Sequence, residues 1–511
     1  MINERLSSFF LDKKSRISFS KLFFASLLFK IILFVFLNYF HNSFGFGHKK
    51  EGLFIYGNDT KSYLETIENL VDQKIYSIGD SPSAFRMPGL LPVYMPIYIR
   101  LPKAIAHQFF IILQVIADAL IAVIIFKLLS LLFPGNIKIS FGAWLLYIVS
   151  AYTSTYSHYF LPEIFATLAL TASTLFLLQF LSGFSLVKIF ISGIFMCWFV
   201  FLKPVGIVFI AVIPLLIAIY ILLGNMTKDR FILWIKSSLI YVSFFLIFDT
   251  CWIIRNYNTF KTFTPLTSAF NSESSDFAMK KFFMSTGLSF QAFNGQDHLA
   301  WFAYKEGDKF FNKSFSGSDP FPAWIFTSKF NLDSLRTLRT IYWSMSETTD
   351  HVQRAQLNER FKKAILSYTE SFKQEHPFHS YITVNLVFLK KLFFIKAAYG
   401  LPLTGKDVFQ KGVRILYVLF YYFIVIGFFL FSILFPFRKQ KRTPMVISML
   451  LICWGIILSL VLLGAIENRY LVPVYPLLLV LSVMFYKDLL SLLRGKIFQP
   501  NLINEEFFSE K

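Results

Sequence analysis

The chain is poor in cysteine: Cys197, Cys251 and Cys453 are the only three in 511 residues, all lie in hydrophobic stretches, and none sits in a Cys-x-x-Cys or Cys/His spacing. An odd, scattered set excludes a disulfide framework and a zinc-type ligand cluster. Charge is also scarce, at 16% of residues, and acids are outnumbered by bases 30 to 50. The His-Glu-x-x-His, Asp-x-Asp, Gly-x-Ser-x-Gly and P-loop patterns are absent, which argues against metalloprotease, nucleotide-sugar, serine-hydrolase and NTPase chemistry.

What the chain has in quantity is apolar sequence: 55% hydrophobic residues and a mean hydropathy of +0.57. A bilayer core about 30 Å thick needs about 20 apolar residues per helix, so the composition is that of an integral membrane protein. The net charge of +20 is read as topology rather than nucleic-acid binding. Its clusters, Arg5, Lys13, Lys14 and Arg16 and then Arg438, Lys439, Lys441 and Arg442, stand where the positive-inside rule puts cytoplasmic loops, with some attraction to anionic headgroups. The first hydrophobic stretch is longer than a signal-peptide core and lacks a small-x-small cleavage site, so it is expected to stay as a span.

Starting inside, spans are expected at about Ser18 to Phe40, Ala104 to Leu132, Ser140 to Ser157 and Glu163 to Leu181. The run Leu186 to Leu223 is nearly two bilayers long and is split at Lys203-Pro204-Val205-Gly206. Further spans follow at Phe231 to Ile253, Arg414 to Phe435, Met445 to Ala465 and Leu471 to Tyr486. The expected fold class is therefore an all-α polytopic membrane protein of about ten transmembrane helices. Its divisions are an N-terminal membrane module, 1–255, with a first outer loop, 41–102; an extracytoplasmic segment of undetermined fold, 256–412; and C-terminal helices with a cytoplasmic tail, 413–511. Lys390, Lys391 and Lys396 interrupt the apolar stretch Ile382 to Tyr399, which reads as an interfacial or re-entrant helix.

This path collects Asp59, Arg86, Glu163, Lys203, Arg255, Glu467 and Arg469 on one side of the membrane. Charges at a helix centre cost roughly 2.5–3.5 kcal/mol each, so both signs at one level call for a reason. Asp59 precedes an amphipathic stretch, Tyr63, Leu64, Ile67, Leu70 and Val71, and reads either as a general base at the membrane surface or as the N-cap of that helix. Arg86, Lys203, Arg255 and Arg469 are candidates to bind a lipid phosphate; singly, each is also a snorkelling anchor. Glu163, after Pro162, reads first as a favourable acid at a helix N-terminus and second as a substrate-binding group. His158 reads as an interfacial anchor or substrate contact, and Glu467 and Tyr470 join it as substrate-binding candidates. Asn58-Asp59-Thr60 matches the N-glycosylation pattern. No metal ligand set is expected.

Taken in order, the outer loop with Asp59 and Arg86-Met87-Pro88-Gly89, then Leu161-Pro162-Glu163, Leu202-Lys203-Pro204, Trp252-Ile253-Ile254-Arg255-Asn256-Tyr257 and Glu467-Asn468-Arg469-Tyr470-Leu471-Val472-Pro473 resemble the GT-C membrane glycosyltransferases. The group meant is that of protein O-mannosyltransferases and the aminoarabinose transferases that modify bacterial lipid A. Where members often carry two neighbouring acids in the first loop, this chain has Asp59 followed by Lys61, with Glu65 and Glu68 further on. The resemblance implies a polyprenyl- or dolichyl-phosphate-linked sugar donor, a lipid, glycan or protein acceptor, the first-loop acid as base, and no cofactor or metal for the transfer step. The expected activity is that of an inverting glycosyltransferase at the extracytoplasmic face, in a membrane that suits the bacterial inner membrane. Its alternatives are a lipid-linked glycan flippase or an O-antigen ligase or polymerase.

Overall fold

The computed structural model describes residues 18–40, 50–57, 59–222, 227–267, 275–288, 301–302, 321–394, 407–437, 444–464 and 467–493. The chain forms two compact units. One comprises Met1–Asp249, Ala397–Ile456 and Val472–Lys511; the other comprises Thr250–Lys396 and Ile457–Leu471. Asn58 and the basic clusters at 5–16 and 438–442 lie outside the described residues.

The first unit begins with α1 (Phe19–Phe40), followed by a loop carrying two short antiparallel hairpins, β1 (Lys50–Glu51) with β2 (Phe54–Ile55) and β3 (Ser77–Ile78) with β4 (Ser81–Pro82). Between the hairpins lies α2 (Thr60–Asp72), and after them α3 (Leu91–Tyr98). The membrane helices of this unit continue with α4 (Lys103–Leu132), α5 (Ile137–Val149), α6 (Glu163–Gly183), α7 (Leu186–Leu202), α8 (Val208–Leu222) and α9 (Lys228–Phe260). In the second unit are α10 (Ser275–Thr286), α11 (Leu332–Glu347), α12 (His351–Glu375) and α13 (Val384–Phe394). Three more long helices follow, α14 (Val408–Leu434), α15 (Pro444–Leu462) and α16 (Tyr475–Leu493), and two of the boundaries between the units fall within α9 and α15.

Among the described residues eight helices are long and apolar enough to cross a membrane: α1, α4, α6, the segment Pro204–Ile221 that contains most of α8, α9, α14, α15 and α16. The protein is a multi-pass, helical membrane protein. Of the ten spans expected from hydropathy, two are shorter than expected. α7 has 17 residues, about 26 Å at 1.5 Å per residue. It stops at Lys203, whose φ of −141° and ψ of 99° are extended, because the residue before a proline is driven out of the helical region. The third expected span is interrupted at Ser150 (ψ 121°) and resumes as a short turn, Ala151–Ser154, and a 3₁₀ turn, Thr155–His158. Ser150 Oγ accepts from Tyr152 N at 3.4 Å and is 3.0 Å from Tyr475 Oη, so the broken backbone is capped and tied to α16.

Small residues let the helices approach closely, as lipid supplies no hydrophobic force between them. Ser173 Oγ donates to Ser192 O and Ser192 Oγ to Ser173 O, both at 2.9 Å, stitching α6 to α7. A Cβ at Gly193 would fall 2.6 Å from Tyr241 O, so α7 and α9 cross at a glycine contact. In the second unit Asn331 and Ser334 form a capping box on α11, Asp350 caps α12, and Phe282, Phe302, Leu335, Phe361, Ile365 and Tyr368 fill the core. The described part of residues 256–412 is thus mainly helical.

The loop between α1 and α4 is docked on α7 by a glycine. A Cβ at Gly89 would overlap the backbone of Phe201 and lie 2.6 Å from Leu202 N, and Gly89 O accepts from Trp198 Nε1 at 2.9 Å. Because backbone cannot yield as a side chain does, Gly89→Ala is expected to lower stability by about 1–3 kcal/mol, read as a lower unfolding midpoint in detergent. Gly142→Ala, with nothing within 4 Å of its Cβ position, should leave the midpoint unchanged or raise it.

Candidate active site

The backbone of Asp59 stands at the N-cap of α2, yet its side chain makes no cap hydrogen bond. The carboxylate turns instead to Arg86, whose Nη2 donates to Oδ1 at 2.8 Å. Arg86 is held on every nitrogen: Nε donates to Ser62 Oγ at 2.9 Å and Nη1 to Tyr63 Oη at 3.2 Å. Its guanidinium also lies 4.3 Å from the centre of the Tyr63 ring. Ser62 Oγ closes the loop by donating to Asp59 O at 2.8 Å. Such a network fixes the acid's position, because the arginine fork has little freedom once three nitrogens are engaged. The pair remains partly exposed, with side-chain accessibilities of 18% for Arg86 and 28% for Asp59.

A second acid and base meet in the same unit. Glu163 is the first residue of α6, where an acid suits the helix N-terminus, and Lys203 Nζ donates to its Oε1 at 2.8 Å. Both are buried, and Glu163 Oε2 has no hydrogen-bond partner. The segments bearing the two pairs are packed together. The residues after Arg86 rest on the Phe201–Leu202 backbone that precedes Lys203. On the other side, Ile55 bridges Tyr159, and a Cβ at Gly57 would be 3.2 Å from the Tyr159 ring. Gln114 Nε2 donates to Tyr159 O at 2.7 Å, and Phe160 stacks on Phe110 at 4.0 Å, so α4 holds the turn that leads into Glu163.

His158 is fully buried and stacks on Phe34 at 4.1 Å, with Nε2 3.3 Å from Phe34 O. In the second unit Arg255 Nη1 donates to Asn256 Oδ1 at 2.9 Å, with its guanidinium 5.1 Å from the Trp252 ring. There too Arg469 Nε is 2.6 Å from Glu467 Oε2, and its guanidinium lies 5.1 Å from the ring of Tyr470. No group of three or more His, Cys, Asp or Glu among the described residues is arranged to hold a metal ion.

Two further charged clusters escape a reading that looks only at membrane edges. In the middle of α1 and α4, Lys30 Nζ and Asp118 Oδ2 are 3.0 Å apart and each side chain is 1% exposed. Asp118 also accepts from Tyr147 Oη at 2.6 Å, Ser154 Oγ at 2.6 Å and Thr153 Oγ1 at 3.2 Å, while Lys30 donates to Tyr147 O and Ser154 Oγ. The second cluster centres on Glu68 of α2, which accepts from Lys103 Nζ at 2.6 Å and Tyr94 Oη at 3.1 Å and lies 3.0 Å from His107 Nε2. Burial pushes this carboxyl up, but the hydrogen bonds and charges of His107 and Lys103 outweigh it and hold the group below its ordinary range. The sequence signal for Lys30 and Asp118 was available: isolated charges deep in long apolar runs imply a partner.

Among solved structures the chain is similar to the archaeal oligosaccharyltransferase AglB from Archaeoglobus fulgidus in complex with an inhibitory peptide and a dolichol-phosphate. That likeness has 13% identity and a TM-score of 0.45, and covers 96% of this chain and 53% of that one. It is also similar to the apo form of an Archaeoglobus fulgidus oligosaccharyltransferase, at 12% identity and a TM-score of 0.34, over 84% of this chain and 59% of that one. The chain thus spans little more than half the length of either. No protein-family model and no curated protein matches it.

Breaking the Lys30–Asp118 pair with Asp118→Asn strands a buried ammonium and is expected to cost about 3–5 kcal/mol, whereas Lys30→Met with Asp118→Leu should recover most of that. A double-mutant cycle of unfolding in detergent reads both. For Glu68, a depressed carboxyl contributes stability that is present above the ordinary carboxylate value near about 4.3 and is lost as pH falls through its own lower value. Wild type should therefore lose midpoint steeply below about pH 4, and Glu68→Gln should show a lower midpoint at neutral pH with a flatter acid limb.

Proposed function

We propose that this membrane protein is a glycosyltransferase that moves a sugar from a polyprenyl- or dolichyl-phosphate donor to a hydroxyl or phosphate acceptor at the extracytoplasmic face, with inversion. The observation that carries the reading is the packing together of two segments, each bearing an acid paired to a base: Asp59 with Arg86 at 2.8 Å and Glu163 with Lys203 at 2.8 Å. The order of motifs along the chain supports it independently.

In this mechanism the acceptor oxygen attacks the anomeric carbon as the bond from that carbon to the phosphate oxygen breaks. The acceptor's proton passes to the Asp59 carboxylate, and the lipid phosphate leaves with the bonding electrons and one more negative charge. Arg86 holds Asp59 in position before the reaction, and its guanidinium is suited to share a hydrogen bond with a phosphate oxygen. Such sharing weakens its grip on Asp59 at the moment a proton must be taken. Lys203 offers a second positive charge to the leaving group, and charge that develops in a partly dry site is stabilised more strongly than in water. Glu163 Oε2, buried without a partner, is suited to accept a hydrogen bond from a sugar hydroxyl.

General-base assistance contributes about 10²- to 10⁴-fold. Purified Asp59→Asn, reconstituted in lipid with radiolabelled polyprenyl-phosphate sugars and a membrane extract, is expected to lose label transfer by about that factor while still binding donor. Transfer by the variant at the wild-type rate would rule out Asp59 as the base. Wild-type transfer from pyrophosphate-linked but not monophosphate-linked donors would move the protein to the ligase class.

A further inference from the structure

α13 and the π-helical turn that leads into it, His379–Thr383, carry two opposed apolar faces. One is internal. Val384, Phe388 and Leu392 are at most 1% exposed, and His379 anchors the turn, with Nε2 3.3 Å from Thr286 O and its ring 4.5 Å from that of Trp324. The same buried face is fastened just beyond the end of α15. Asn468 Nδ2 donates to Leu392 O at 3.1 Å, and a Cβ at Gly464 would be 3.8 Å from the Phe388 ring. α15 is one of the eight helices long and apolar enough to cross a membrane, so Gly464 and Asn468, just past its end, mark the level where the chain leaves the hydrocarbon.

The other face is exposed at every fourth position: Phe378 at 69%, Ile382 at 45%, Leu386 at 61% and Phe394 at 41%, with exposed Lys390 between the last two. Tyr381, at 60%, flanks the row. An exposed apolar row of this size marks a contact surface. We propose that it lies in the bilayer interface, its aliphatic and Phe side chains in the acyl boundary and Tyr381 and Lys390 at headgroup level. Two observations select lipid over protein as the occupant. The helix is fastened at the level of a span's end, and Lys390 interrupts the row where an anionic headgroup complements it and where a dry protein interface would bury an unpaired charge. The second unit is thereby seated on the membrane surface, independently of what the protein catalyses.

The test uses the full chain carrying Cys197→Ala, Cys251→Ala and Cys453→Ala, with Leu386→Cys, Ile382→Cys or the control Ser367→Cys, which lies on the exposed face of α12. Each is labelled with an environment-sensitive fluorophore and reconstituted in vesicles of phosphatidylcholine and phosphatidylglycerol. The expected result is a blue-shifted emission at 382 and 386 that loses most of its intensity to lipids carrying a shallow nitroxide and little to aqueous iodide, with the reverse at 367. Iodide quenching at 382 and 386 equal to that at 367 would overturn the proposal by placing the face in water. Protection from both quenchers would overturn it in favour of a protein covering.

Discussion

A charge in the hydrocarbon has to meet its partner inside the protein, and the pairing of Lys30 with Asp118 is the interaction on which the first unit's arrangement turns. The two residues set α1 against α4 at one register, but a bare ion pair does not repay the loss of water; its remaining lone pairs and protons need hydrogen bonds too. Tyr147, Thr153 and Ser154 supply them. On a straight helix Tyr147 and Ser154, seven residues apart, would share a face but stand about 10 Å apart along the axis, with Thr153 turned about 100° from Ser154; with the chain broken at Ser150, all three reach the one ion pair. That break ends α5 and releases the segment 155–162, which bridges Ile55 through Tyr159 and then opens α6 at Glu163. The membrane's charge pair and the candidate site are thus linked by one short stretch of chain.

The loop between α1 and α4 is seated by packing as much as by charge. Phe54, Tyr94, Phe110 and Phe160 are all fully buried and meet edge to face or stacked, with ring centres 4.0–6.1 Å apart. Each such ring contributes about 1.5–3 kcal/mol by burial, which offsets the ordering of a loop that joins two spans. Glu68 lies at the edge of this cluster and ties α2 to the start of α4 through Lys103 and His107. It acts as a polar fastener between the helix that follows Asp59 and the scaffold. Gly89 completes the docking by allowing backbone to lie on backbone.

Much of this was legible beforehand, and the remainder failed to show for identifiable reasons. Long apolar runs announced the spans, and Pro204 announced the break after Lys203, because both effects are local. The interruption at Ser150 was invisible: serine is tolerated within a membrane helix, and the residues on either side of the break meet at Asp118, far away in sequence. On α2, apolar spacing identified Leu64 and Ile67, both of which are buried, but it left the buried Glu68 outside that face. Its partners lie 35 and 39 residues further on, and periodicity carries no information about them. The candidate site was legible as a collection of charges and not as pairs. Asp59 could be read as base or cap from sequence, and the structure shows its backbone at the cap position while its carboxylate faces Arg86.

That pairing constrains what can bind. At rest each acid of the first unit's site already has a cation, so the site has little net charge to attract an anion, and a ligand enters only by exchanging partners. The two pairs differ in how readily they exchange. Asp59 and Arg86 are 28% and 18% exposed and keep contact with water, whereas Glu163 is 1% exposed, and separating a buried pair without replacement leaves an uncompensated charge. A ligand bringing only negative charge would satisfy Arg86 and Lys203 and strand the two carboxylates. One bringing only hydroxyls would satisfy the carboxylates and leave the cations where they are. A ligand that carries hydroxyl donors beside a phosphate supplies both exchanges at once, with the phosphate competing for the cations and the hydroxyls taking up acceptor positions such as Glu163 Oε2. On the proposed chemistry, selectivity for a sugar joined to a phosphate follows from a site whose charges are balanced in pairs, and it requires no excess of either sign.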